Sequence, residues 1–178
     1  MRFGRKTSGD DRFAALARKI EAVVQQDQER ERQAEEFAQL RSRAAVELHS
    51  VCLEFVSKVN GLLRKPVVEL SPAEYSTDAY RDNGANVFQV NVSGRIVHLE
   101  FHATDTLTST EKLGTPYILE GSVRAFNQQL LEMSAVPEHR LFCCPRENRL
   151  NWVWFDPRAQ RSAPLDQERL IMLLERLM

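Results

Sequence analysis

Phe13, Leu16, Ile20 and Val23 stand at alternating steps of three and four residues, the spacing that lines side chains along one seam of a helix. The register returns after a gap with Ala34, Phe37, Ala44, Leu48, Val51, Phe55 and Leu62. A seam this long predicts a helix from about residue 11 to residue 64. Ser8 or Asp10 supplies a side-chain oxygen for its first free backbone N–H groups. Gly61 weakens its end, and Lys65-Pro66 stops it, because proline disfavours helix in the residue before it.

The gap, "QQDQERERQ" over residues 25–33, puts Asp27 and Arg30 on the seam. An unbroken helix of roughly 50 residues would be about 75 Å long; the charged stretch could also divide it in two. The seam changes character across this gap. Ala44, Ala45, Leu48, Val51, Cys52, Phe55, Val56, Val59, Leu62 and Leu63 make a broad apolar face suited to a sheet. The narrow first part suits another helix. Phe13, Leu16, Ile20, Val23 and Phe37 are therefore the expected oligomerisation residues, in a homodimer or against a protein partner. The competing expectation is that this segment folds back on its own domain.

Downstream, the pattern changes from helical to alternating. "ANVFQVNV" and "RIVHLEFHAT" flank Ser93-Gly94, a two-residue hairpin turn. That turn pairs Val90 with Val97 and Phe88 with Leu99, and sets Gln89 against His98 and Val87 against Glu100. Residues 67–70 read as a short strand, and Ser71, Pro72 and Glu74 as the start of one helical turn. Residues 116–122 read as a strand leading into a helix that ends at Met133, with Gly121 at the junction. "EHRLFCC" and "RLNWVWFD" form a second hairpin about residues 145–148. A C-terminal helix has Pro164 near its first turn and Leu170, Leu173, Leu174 and Leu177 as its stripe.

The sum is an α+β fold: one antiparallel sheet of about five or six strands flanked by helices, with a long N-terminal helix of coiled-coil character. The expected division is a basic, unstructured tail over 1–10, a helical arm over 11–43 and an α+β core over 44–178.

Candidate chemistry is sparse. His98, Glu100 and His102 alternate along one strand face, where neighbours two apart lie about 6.6 Å from each other. Zinc holds its ligands at roughly 2.0–2.2 Å, so the three cannot converge on one ion without a bend in the strand. Polar side chains on a wet sheet face are the simpler reading; metal binding is the alternative. Trp152 and Trp154 share a face and suit a core, or alternatively a small-molecule pocket. Arg140 and Arg149 belong to an arginine-rich stretch able to hold carboxylate or phosphate, though Glu138, Glu147, Asp156 and Asp166 are interspersed. Ser109-Thr110-Glu111-Lys112 matches the Ser-x-x-Lys spacing of serine acyl-transfer enzymes, but neither Ser-Asp-Asn nor Lys-Thr-Gly accompanies it.

Charge narrows the partners. Residues 1–64 carry 12 basic and 10 acidic groups, and the rest carry 12 and 15. This lacks the basic excess through which phosphate-binding proteins gain affinity, which argues against a nucleic-acid partner. No apolar run reaches the roughly 20 residues of a membrane span, and the N-terminus lacks the apolar core of a secretory signal. Three cysteines, two adjacent, make no disulfide framework. The expectation is a cytoplasmic, non-enzymatic interaction or adaptor protein that self-associates and needs no cofactor.

Overall fold

The computed structural model describes residues 7–130 and 136–178. Helix α1 runs from Thr7 to Leu62 without interruption, so the charged stretch at 25–33 does not break it. It begins inside the segment expected as a tail; residues 1–6 lie outside the described residues. Two compact units divide the chain, Met1–Phe37 and Ala38–Met178.

Over residues 9–37, α1 carries only exposed or half-buried side chains. Over 25–33 its surface is held by pairs one turn apart: Arg32 reaches back to Glu29 at 2.7 Å and forward to Glu36. Arg30 lies 3.8 Å from Asp27. Such pairs lie one turn apart on the helix surface and favour the helical conformation.

The second unit is built on a seven-stranded antiparallel meander in which every strand pairs with its neighbours in sequence. The strands are β1 (Val68–Ser71), β2 (Asn86–Val92), β3 (Arg95–Ala103), β4 (Leu119–Asn127), β5 (Glu138–Arg146), β6 (Arg149–Asp156) and β7 (Arg161–Pro164); helix α2 spans Gln167–Glu175. The β2–β3 ladder has the register that the Ser93-Gly94 turn dictates, with Val90 on Val97, Phe88 on Leu99 and Gln89 on His98. Both turn residues have positive φ, 50° and 86°, as the tightest hairpin turn requires. Glu147 and Asn148, with φ of 44° and 64°, repeat this between β5 and β6. The second turn is thus two residues long rather than four, and Pro145 lies in β5. Opposite β4 the ladder has already ended at Cys143, so at Pro145 no neighbour on that side needs its missing N–H.

Alternate side chains make the core face: Phe88, Val90, Val97, Leu99, Phe101, Val123, Leu141, Cys143, Trp152 and Trp154 are all buried. The C-terminal part of α1 covers it with Ala44, Ala45, Leu48, Cys52, Phe55 and Val56. The broad apolar face ends sooner than its sequence suggests, for Leu62 and Leu63 are exposed. α2 covers the remainder with Leu170, Leu173 and Leu174. Its cap is Asp166, which accepts from the Arg169 N–H, while Pro164 closes β7 instead of starting the helix. Asn60 blunts the free edge of β1: its side chain accepts from the Val68 N–H at 3.0 Å and donates to the Val68 carbonyl at 2.8 Å, as a further strand would.

Two expectations are corrected. The helix foreseen after residue 122 is strand: β4 continues to Asn127 and is followed by a 3-10 turn over Gln128–Leu130. The remainder, including Met133, lies outside the described residues. β4 is hydrogen-bonded on both sides, along the whole of β3 and most of β5, and two ladders outweigh a helical spacing of four apolar residues. β7 was not foreseen, which raises the strand count to seven. "RSAP" has no apolar alternation, and it is strand only because β6 presents an edge to it.

Candidate functional site

The opposite face of the sheet holds the polar residues that looked most like chemistry. Their atoms are already committed. Gln89 donates from Nε2 to Nδ1 of His98 at 2.9 Å, which leaves the proton on Nε2, facing Glu100 at 3.3 Å. A metal would need one of those ring lone pairs, and the accepting one is occupied. Glu100 also lies 3.6 Å from Arg124. His102 is on the same face but turns to Glu120, at 3.6 Å, where Lys112 also binds at 2.9 Å. His98 and His102 therefore serve different carboxylates. Among the described residues no three His, Cys, Asp or Glu side chains are placed to hold a metal ion.

Arg140 borders a shallow groove of about 430 Å³ on this face, with Glu100, His102, Glu120 and Arg124. Arg149 is elsewhere: Arg140 pairs with Phe155, whereas Arg149 pairs with Arg146 at the far end of the same hairpin. Six residues of strand separate these positions, about 20 Å. The structure thus does not bring these two arginines to one anion. Ser109 and Lys112 also part company, the hydroxyl going to Tyr117 and the ammonium to Glu120.

The tryptophans face inward. Trp152 donates from Nε1 to the Ala44 carbonyl at 2.8 Å and packs edge-on against Phe101. Trp154 lies beneath the Arg169 guanidinium, 3.8 Å from the ring centroid, and beside His139. Both act as core. Trp152 also borders a cleft of about 630 Å³ whose apolar walls include Val51, Leu113, Val153 and Leu165. The three thiols are unpaired and buried. Burial raises Cys52 to about 12 and displaces Cys143 and Cys144 upward too, so none is a ready nucleophile.

The remaining feature is the seam of α1. Phe13 is 73% exposed, Leu16 51%, Ile20 54% and Val23 55%, and Val24 beside them is also exposed. They span three turns on one side of a helix. Phe37 differs, being half-buried.

Sequence reasoning missed Arg41. Its side chain is buried and donates to the carbonyls of Ile118, Thr106 and Leu107, to the Thr104 hydroxyl and to Asp82, all within 3.3 Å. It ties α1 to the segment between β3 and β4. The one available signal was a charged residue on the seam, seven residues before Leu48.

Among the described residues no helix is long and apolar enough to cross a membrane. In comparison with known proteins, the sequence matches no family model, no curated protein and no solved structure.

Proposed function

We propose that this chain is a non-enzymatic interaction protein that associates with a second copy of itself through the N-terminal part of α1. The observation that carries this reading is the exposed row Phe13, Leu16, Ile20 and Val23. Scattered apolar residues on a surface need no explanation, but a row at heptad spacing does. A helix is the partner that such a narrow row fits best. The committed hydrogen bonds of the polar sheet face and the buried thiols support an interaction role over catalysis. Unpaired thiols also suit a reducing compartment, which favours the cytoplasm.

Light-scattering mass across a concentration series tests the reading on the full chain and on Leu16→Glu/Ile20→Glu. Both positions are exposed, so the variant keeps its core. The expected result is a dimer that becomes a monomer in the variant. A native chain that stays monomeric at every concentration ends the proposal.

A second reading rests on the cleft beside Trp152, whose volume is in the range of small-molecule sites. Saturable binding of an apolar anion such as anilinonaphthalene sulfonate, lost in Val51→Arg at unchanged fold, would favour it.

A further inference from the structure

We infer that the two copies of α1 pair antiparallel, about a two-fold axis at Arg18. This rests on the self-association proposed above and adds its orientation and register. About that axis, Phe13 packs on Val23 of the second copy and Leu16 packs on Ile20. Every large residue of the exposed row is covered, and each layer joins a larger side chain to a smaller or branched one, as interdigitating cores require.

The charges on the seam decide between orientations. In a parallel, in-register pair, the layers after Val23 would set Asp27 against Asp27 and Arg30 against Arg30. Two successive layers of like charge would enter the seam, where loss of water costs several kcal/mol per ion. In the antiparallel pair, Asp27 comes opposite Gly9, which has no side chain, and Arg30 comes opposite residue 6, outside the described residues. The Asp27–Arg30 ion pair, 3.8 Å within one helix, then stays in water. Arg12 of the second copy lies one turn from Gly9, on the side that Asp27 faces, and brings it an opposite charge. The opposing cost is Lys19 facing its own copy, but that is a flanking, solvated position where like charges cost a few tenths of a kcal/mol. The end of the apolar row and the start of the charged stretch thus mark the end of the overlap.

Spin labels on single introduced cysteines read the geometry in the full chain. The native thiols are buried, so labelling is confined to Arg18→Cys or Glu35→Cys, both exposed positions on α1. An antiparallel pair puts the two labels at 18 close together. It separates those at 35 by 34 residues of rise, roughly 50 Å. A parallel pair puts both label pairs within the interaxial distance of about 8–10 Å plus the label arms. Short at 18 and long at 35 is the expected result. Short distances at both positions overturn the orientation and leave self-association standing. A long distance at 18 in a protein of dimer mass overturns the register. A monomeric mass with no dipolar coupling overturns both this inference and the reading beneath it.

Discussion

One helix supplies both regions of this protein, and the two use it differently. From Arg41 to Val56 one face, with Ala44, Ala45, Leu48, Cys52, Phe55 and Val56, is buried by the sheet of the same chain. From Phe13 to Val23 the same spacing carries side chains that are more than half exposed. Periodicity alone cannot tell these stretches apart, since both repeat at three and four residues. Width can. Counted in large apolar side chains, the covered stretch from Val46 to Val56 has seven in eleven residues, and the exposed one from Phe13 to Val24 has five in twelve. A sheet needs a broad face to be covered; another helix needs a seam. Substitutions in the two stretches should therefore act on different measurable quantities, one on folding and the other on association.

The largest effect belongs to the sheet. A Cβ at Gly121 would lie 1.9 Å from the Glu100 carbonyl oxygen and 2.6 Å from the Phe101 Cα. Both are backbone atoms, and neither can rotate away. Gly121→Ala should cost more than about 4 kcal/mol in denaturant unfolding, the range of severe steric defects, or prevent folding. Removing Arg41 comes next. Arg41→Met keeps the aliphatic stem but strands the buried Ile118 carbonyl, the half-buried contacts to the Thr106 and Leu107 carbonyls and Asp82, and about 3 kcal/mol should be lost. Leucines in the two stretches then give the most direct comparison. Leu48 is fully buried, and Leu48→Ala should cost about 3 kcal/mol through lost burial and the cavity left behind. Leu16→Ala, in the same helix, should leave unfolding at low protein concentration within about 0.5 kcal/mol of the parent while weakening the dimer. If Leu16→Ala destabilised the dilute monomer as much as Leu48→Ala does, the first stretch would be packing on its own chain and the contrast would be void.

How much of this could be read in the sequence follows from where each constraint originates. The β2–β3 register was legible because local chemistry fixes it: Ser93-Gly94 admits only a tight turn, and alternation sets which side faces in. The start of β4 and its continuation past Ser122 were not, since Val123 and Phe126 suit either helix or strand and the choice is made by β3 and β5, distant in sequence. β7 has no signal of its own and is strand only through β6. Of the polar residues, the spacing argument against a three-ligand metal site on a regular strand needed only the 3.3 Å rise. That His98 takes Gln89 as its partner also followed from register. The separation of Arg140 from Arg149 did not, because clustering in sequence conceals that a hairpin places its strand ends far apart. Arg41 stayed hidden because an arginine in a helix reads as surface, and its carbonyl acceptors come from a loop more than sixty residues away.

The smallest expected effect separates the two regions by pH. All four histidines lie between residues 49 and 139, so the first stretch has none. Burial lowers the pKa of His139, the nearby Arg176 and Arg169 charges add to this, and Asp156 opposes them; among the described residues its Nδ1 has no hydrogen-bond partner. Because the folded-state pKa is the lower one, the unfolded chain takes up this proton first as pH falls below about 6.5. Stability then declines with falling pH until the folded-state His139 titrates as well, and it recovers above that window. His139→Gln should flatten this slope in thermal unfolding between pH 7 and 5.5. The association should not follow. The first stretch has no histidine, and beyond it Glu29 is drawn down to about 2 by its hydrogen bond from Arg32. Dimer mass should stay constant from pH 7 to 5.5 while the unfolding midpoint falls. A dimer that dissociated along with the loss of stability would mean that the sheet domain takes part in the interface, and that one helix does not divide its work as its exposed and buried stretches imply.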